Sequence, residues 1–253
     1  MTCRGDVCSE VRAQLVAFAE ELQHSRPNMA PVYNLIQRWV DEVEALPGDD
    51  LPALRREAAE AAEALCDASM RAVDQAAANA LPLIGDDAVI ISLSFSSTVM
   101  ATLRQVRSER VEVILGESRP GMEGREQARA IANMGFRVTF ITDAQLGLFS
   151  GRATIALVGA DAVLADGSVV NKAGTYLLAL AARDRGIPFC SCFESFKYAP
   201  FHARSFELEE LPVADIEPPK HPQIEAKNVL FDITPARLVD HWITEAGIRS
   251  DPH

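Results

Sequence analysis

No stretch of this sequence approaches the roughly 18 consecutive apolar residues that cross a bilayer. The opening residues, MTCRGDVCSEVRAQ, are too polar for a secretory signal. Neither a membrane partner nor export is therefore expected. Positive charge is in deficit: 24 Lys plus Arg stand against 36 Asp plus Glu, a formal charge of −12. Bulk charge of that sign argues against direct nucleic-acid binding, though a local basic pocket for a small anion stays open. Cysteines are few and odd in number (Cys3, Cys8, Cys66, Cys190, Cys192). Their irregular spacing fits reduced thiols and a cytoplasmic setting better than a disulfide framework. Cys190-x-Cys192 lies in the apolar run IPFCSCF, where small buried strand side chains are a better reading than a zinc site. The histidines, at 24, 202, 221, 241 and 253, show no metal-ligand spacing. No metal and no cofactor is expected.

What is present is the composition of a soluble globular chain. Of its 253 residues, 48% are hydrophobic and 24% charged, which excludes long disorder and leaves one large domain or two unequal ones. The first eighty residues carry apolar positions at three- and four-residue intervals, as in Val11-Leu15-Phe18-Leu22 and Val32-Leu35-Ile36-Val40. Breaks are expected at Ser25-Arg26-Pro27 and at Pro47-Gly48-Asp49-Asp50. The segment LPALRREAAEAAEALCDASMRAVDQAAANA is rich in strong helix formers and predicts one long helix. From Asp87 the pattern changes. AVIISL, VEVILG, RVTFIT, TIALVG and PFCSCF are short β-rich runs, separated by helix-like STVMATLRQVRSE, EGREQARAIANMG and AGTYLLALAARDRG. This alternation predicts βαβ units and a mainly parallel sheet, apolar on both faces. The expected organisation is a helical domain over 1–85 and an α/β, Rossmann-like ligand-binding domain over 86–253.

Ligands in such sheets collect beyond the carboxyl ends of the strands. After the first strand come Ser94, Ser96, Ser97 and Thr98, opening a helix whose N–H groups could meet an anion; plain N-capping by Ser96 or Ser97 explains them equally well. The second strand runs into GESRPGMEG, where Arg119 is either a rigid fork for phosphate or part of an exposed turn. The fourth ends in Val158-Gly159-Ala160-Asp161, followed by a turn at Ala165-Asp166-Gly167 and then by Asn171 and Lys172. Asp161 is expected at the sheet's carboxyl edge, with Asn171 and Lys172 entering a helix N-terminus. After the fifth strand, Lys197 lies between aromatics, as a snorkelling side chain or a second anion contact.

GESRPGMEG, VGADAVLADGSVVNKAGTYLLALA, ESFKYAP and FDITPARLVDHWITEAGI occur in that order. Together they resemble one family. It includes the alpha, beta and delta regulatory subunits of translation initiation factor 2B, methylthioribose-1-phosphate isomerase and ribose-1,5-bisphosphate isomerase. The likeness covers about residues 87–248, with RPNMAPVYNLIQRW compatible. It implies a helical domain followed by a Rossmann-like one, a homodimer or higher homo-oligomer, and a phosphorylated sugar or nucleotide as ligand. It also implies aldose–ketose isomerisation of a phosphorylated ribose, or a non-catalytic regulatory role. Asp161 matches the isomerases' acid/base Asp, and Arg119, Asn171, Lys172 and Lys197 match substrate-contacting positions. Ser94 stands where the isomerases have Cys, Glu123 where Gln is common, and their Arg-Gly-Ala loop is not evident. A hydroxyl shuttles a proton far less readily than a thiol near neutral pH. Ala- and Leu-rich helical patterns toward the C-terminus, with FDITPARLVDHWI near the chain end, suggest a buried subunit interface.

Overall fold

Alanine, glutamate and arginine dominate residues 51–80, and they form one unbroken helix, as their propensities require. The computed structural model describes residues 4–25, 29–47, 50–200, 203 and 206–251. It opens with three helices: α1 (Arg4–Ser25), α2 (Ala30–Ala45) and α3 (Leu51–Ala80). The expected breaks fall largely on 26–28 and 48–49, which lie outside the described residues, as do Cys3, His202 and His253. Ala72, Ala76 and Ala80 recur at one-turn spacing and are buried. Small side chains there let α3 lie close against α4 (Ser97–Gln105), whose Val99, Met100 and Leu103 join the same cluster. The Asn79 amide donates to the carbonyls of Thr244 (2.8 Å) and Glu245 (3.2 Å), tying α3 to the chain's last strands.

Beyond residue 87 the β-rich runs become β1 (Val89–Ser92), β2 (Glu112–Gly116), β3 (Arg137–Ile141), β4 (Ile155–Val158) and β7 (Phe189–Cys192). Helices α5 (Gly124–Asn133), α6 (Leu146–Phe149) and α7 (Thr175–Arg185) lie between them. A seven-stranded sheet has the order β10-β9-β7-β4-β1-β2-β3, parallel throughout except where β10 (Gly247–Arg249) pairs with β9 (His241–Thr244). Successive strand residues face opposite sides. Ile91, Ile114, Ala156 and Val158 meet Leu178, Ala179 and Ala182 of α7. Ile90, Val113, Leu115 and Leu157 meet α3, α4 and Ile131 of α5. Both faces are covered, which is why these strands read as continuous apolar runs. Cys190 and Cys192 are buried in β7, and burial pushes both thiols up to about 12.

A second sheet, antiparallel, has the order β5 (Ala162–Val163), β6 (Val169–Lys172) and β8 (Phe231–Thr234). One expectation is corrected here. Asn171 and Lys172 do not enter a helix; they end β6, whose Val169 and Val170 pair with β8, and α7 starts only at Thr175. FDITPARLVDHWI, near the chain end, is built of strands. It forms β8, a short turn at Ala236–Leu238 and β9, which pairs with β7 inside the same chain. Phe231, Ile233 and the Trp242 indole, which donates to the Gly167 carbonyl at 2.9 Å, are placed by pairing across the sheets.

Candidate functional site

Because β7, β4, β1 and β2 are parallel neighbours, the loops that follow them share one rim. Ser94, Arg119, Asp161 and Lys197 each lie a few residues past one of these strand ends. The rim is tied together through the backbone. Ser94 has φ of 63° and Ser118 has φ of 65°, the left-handed region that costs a non-glycine residue about 1–3 kcal/mol. The Ser94 N–H donates to the Ser118 hydroxyl at 2.6 Å. The N–H groups of Ser118 and Arg119 donate in turn to the two carboxylate oxygens of Asp143, at 2.8 and 2.7 Å. Asp143 thus fixes the Arg119 loop from the end of β3. Its position directly after the run RVTFIT was the available signal, and it was missed.

The next loop approaches as closely as backbone allows. A Cβ on Gly159 would sit 2.5 Å from Ser96 Oγ, so the end of β4 and the start of α4 are in contact only because that side chain is absent. Ser96 caps α4, its hydroxyl accepting from Val99 N–H at 3.3 Å, while Ser97 is exposed on the first turn. Arg119 is exposed, and its guanidinium makes no ion pair or hydrogen bond with another described residue. Asn171 is buried, its amide donating to Thr175 Oγ1 at 3.0 Å.

Charge on the rim is closely paired. Lys172 is 4% exposed, and its Nζ lies 2.7 Å from Glu123 Oε1. Lys197 Nζ lies 3.0 Å from Glu194 Oε2. Half-buried Asp161 sits within the fields of both ammoniums. Desolvation raises its pKa above the ordinary carboxylate value, while Lys197 and then Lys172 pull it down, and Glu123 and Glu209 add to the rise. The N-terminus of α7 is already occupied: the Asp232 carboxylate accepts from Gly174 N–H (2.7 Å) and Tyr176 N–H (3.0 Å). Burial pushes Asp232 up to about 6 against those two donors. The arrangement therefore offers two carboxyls of raised pKa, Asp161 between the lysines and Asp232 bound to the α7 N–H groups, with two lysines held by carboxylates and a guanidinium unpaired among the described residues at the margin.

The helical region reaches this rim as well. Asn34 of α2 donates to the carbonyls of Phe196 and Tyr198, both at 2.7 Å, bracketing Lys197, and Arg38 stacks 4.5 Å from the Phe196 ring centre. The Ser195 N–H donates to Glu245 at 2.9 Å, and its hydroxyl donates to the same carboxylate. Glu123, Glu194, Asp232 and Asn34 lie in the motifs quoted for the family likeness, but no role could be assigned to them without knowing what they face.

The sequence pattern of the Initiation factor 2 subunit family matches residues 4–250. A Pyrococcus horikoshii protein named eIF-2B subunit 2-like is 38% identical over 244 residues, covering 94% of this chain and 82% of that one. A ribose 1,5-bisphosphate isomerase of Haloferax volcanii is 31% identical over 252 residues, covering 93% and 75%. Among solved structures, a translation initiation factor eIF-2B of Pyrococcus horikoshii superposes with a TM-score of 0.80 at 37% identity, covering 96% of this chain and 84% of that one.

Proposed function

The chain belongs to the Initiation factor 2 subunit family, and we propose that it binds a phosphorylated ribose at this rim and isomerises it from aldose to ketose. Asp161 carries the reading. It is a half-buried carboxyl with a pKa raised by desolvation, close enough to Lys172 and Lys197 to feel both charges. A raised carboxyl is better matched to proton transfer near neutral pH than an ordinary one. The ribose 1,5-bisphosphate isomerase relative supports the same substrate class. The reaction moves the carbon-bound hydrogen from C2 to C1 and the C2 hydroxyl's proton to the former carbonyl oxygen at C1, or to the ring oxygen released from C1 where C1 carries the phosphate, leaving the carbonyl at C2, so it balances without an oxidant or reductant. Asp161 moves the carbon-bound proton; Asn171, Lys172 and Lys197 orient the sugar; Arg119, with Ser96 and Ser97, meets phosphate. The proposed setting is a cytoplasmic homodimer or higher homo-oligomer.

One observation favours a second reading, a regulatory subunit that binds the sugar phosphate or a nucleotide without turnover. Ser94 Oγ makes no hydrogen bond to another described residue, so no base activates a hydroxyl that is a poor acid to begin with. Incubation with ribose 1-phosphate, ribose 5-phosphate and ribose 1,5-bisphosphate, followed by NMR for aldose loss and ketose gain, separates the readings. Turnover that vanishes in Asp161→Asn supports the isomerase. Binding without turnover supports the regulatory subunit, and absence of binding overturns both.

A further inference from the structure

Two lysines, an arginine and a helix N-terminus suggest, from sequence, a strongly anion-seeking site. The geometry is otherwise. Lys172 is paired to Glu123 at 2.7 Å, Lys197 to Glu194 at 3.0 Å, and the N–H donors opening α7 are taken by Asp232. Of the three cations assigned to the site from sequence, only Arg119 has no carboxylate partner among the described residues. Around Asp161 the carboxylates Glu123 and Glu209 act against the two ammoniums.

Glu123 decides what can approach Lys172. The Lys172 side chain is 6% exposed, so a ligand reaches Nζ only alongside the carboxylate that already holds it. The second oxygen of that carboxylate, Glu123 Oε2, is buried and has no hydrogen-bond partner. A buried acceptor without a donor is costly, and it calls for a group that brings a proton. A sugar hydroxyl does so: it donates to Oε2 and accepts from Nζ. A phosphate dianion carries no proton to donate, and would set its own charge directly against the Glu123 carboxylate. Breaking the ion pair to admit it would leave Glu123 partly buried and uncompensated.

We infer that Glu123 is a specificity-determining residue that makes the Lys172 end of the site read a sugar hydroxyl and reject a second phosphate, so that the ligand is a ribose monophosphate. The inference rests on the sugar-phosphate reading above and narrows it. The phosphate end falls to Arg119, which the Asp143-held backbone presents on the same loop four residues before Glu123.

Calorimetric titration of the full chain with ribose 1-phosphate, ribose 5-phosphate and ribose 1,5-bisphosphate tests this in the wild type and in Glu123→Gln, with thermal melts confirming that the variant is folded. The wild type is expected to bind one monophosphate at least as tightly as the bisphosphate. Glu123→Gln, which frees Lys172 and keeps the side-chain shape, is expected to shift the bisphosphate-to-monophosphate affinity ratio toward the bisphosphate by about tenfold or more. A wild type preferring the bisphosphate by that margin overturns the inference without help from any variant. So does a ratio that Glu123→Gln leaves unmoved, and in both cases the sugar-phosphate site itself survives. Failure of all three ligands to bind either protein removes that site, and the inference with it.

Discussion

At residue scale the proposed chemistry turns on Ser94 and Asp161. The family likeness places a thiol where this chain has Ser94, and a hydroxyl is the weaker proton shuttle. Ser94→Cys is expected to raise isomerisation of a phosphorylated ribose by about tenfold or more, a partial recovery of the 10²–10⁴-fold typical of acid–base catalysis. An unchanged rate in a folded, ligand-binding Ser94→Cys protein would remove this position from the mechanism. Asp161→Asn should abolish turnover. The acid limb of the wild-type rate profile should lie above the ordinary carboxylate value, since desolvation raises the Asp161 pKa. Lys172 has a structural cost attached to its role. Lys172→Ala leaves Glu123 without its cation, so urea unfolding should show a loss of about 1–2 kcal/mol as well as weaker ligand binding. The loss is held to that range because Glu123 is 38% exposed in its side chain and water answers part of its charge. Adding Glu123→Gln to Lys172→Ala should recover part of the stability; no recovery would show that Lys172 stabilises by packing alone.

At the scale of elements, the helix α7 is anchored by a carboxylate from another strand rather than by its own cap. Asp232 is buried enough to be pushed up to about 6 from 3.8, so between those values the folded state holds its proton more tightly than the unfolded chain. Its contribution to stability is present in full below pH 4 and is lost as pH rises through 6. Melts across that window, wild type minus Asp232→Asn, should show this slope, amounting to no more than about 3 kcal/mol; a flat difference would mean the two backbone donors offset the burial. The strand and helix segments of the α/β half were legible from apolar runs, as was α3 from its propensities, because local sequence decides both. The strand ends of Asp161, Arg119 and Ser94 followed from the rule that loops after parallel strands share a rim. Asn171 and Lys172 did not, because β6 exists only through pairing with β8, about sixty residues later. The neutralising partners Glu123 and Glu194 were equally invisible, since an ion pair is a distance and the sequence shows only the two charges. The strands of FDITPARLVDHWI were not legible for the same reason: they belong to different sheets, and neither has a local pattern strong enough to declare itself.

For the whole molecule, charge and exposed apolar surface pull in opposite directions. A net charge of −12 keeps copies of the chain apart, yet α6 and α7 together expose Leu148 (71%), Leu177 (64%) and Leu180 (40%) on the side away from the sheet. Single exposed leucines need no explanation, but three on adjoining helices of a sheet layer that is otherwise well buried are the kind of patch that subunits cover. This keeps the Ala- and Leu-rich α7 as the proposed dimer face, and moves the interface off FDITPARLVDHWI, whose strands are consumed inside the chain. In a two-fold pair of this kind the same leucines would meet their own copies, so one substitution strikes the interface twice. Light scattering at micromolar concentration should give twice the chain mass for the wild type. Leu177→Glu together with Leu180→Glu should give the single chain mass, with circular dichroism unchanged because neither side chain enters the core. Repulsion between two acidic subunits is screened by salt whereas apolar contact is not, so the wild-type dimer should tighten as ionic strength rises from 0.01 to about 0.15 M. A wild type that runs at the single chain mass throughout that range would show that α7 faces water, or a partner other than a second copy.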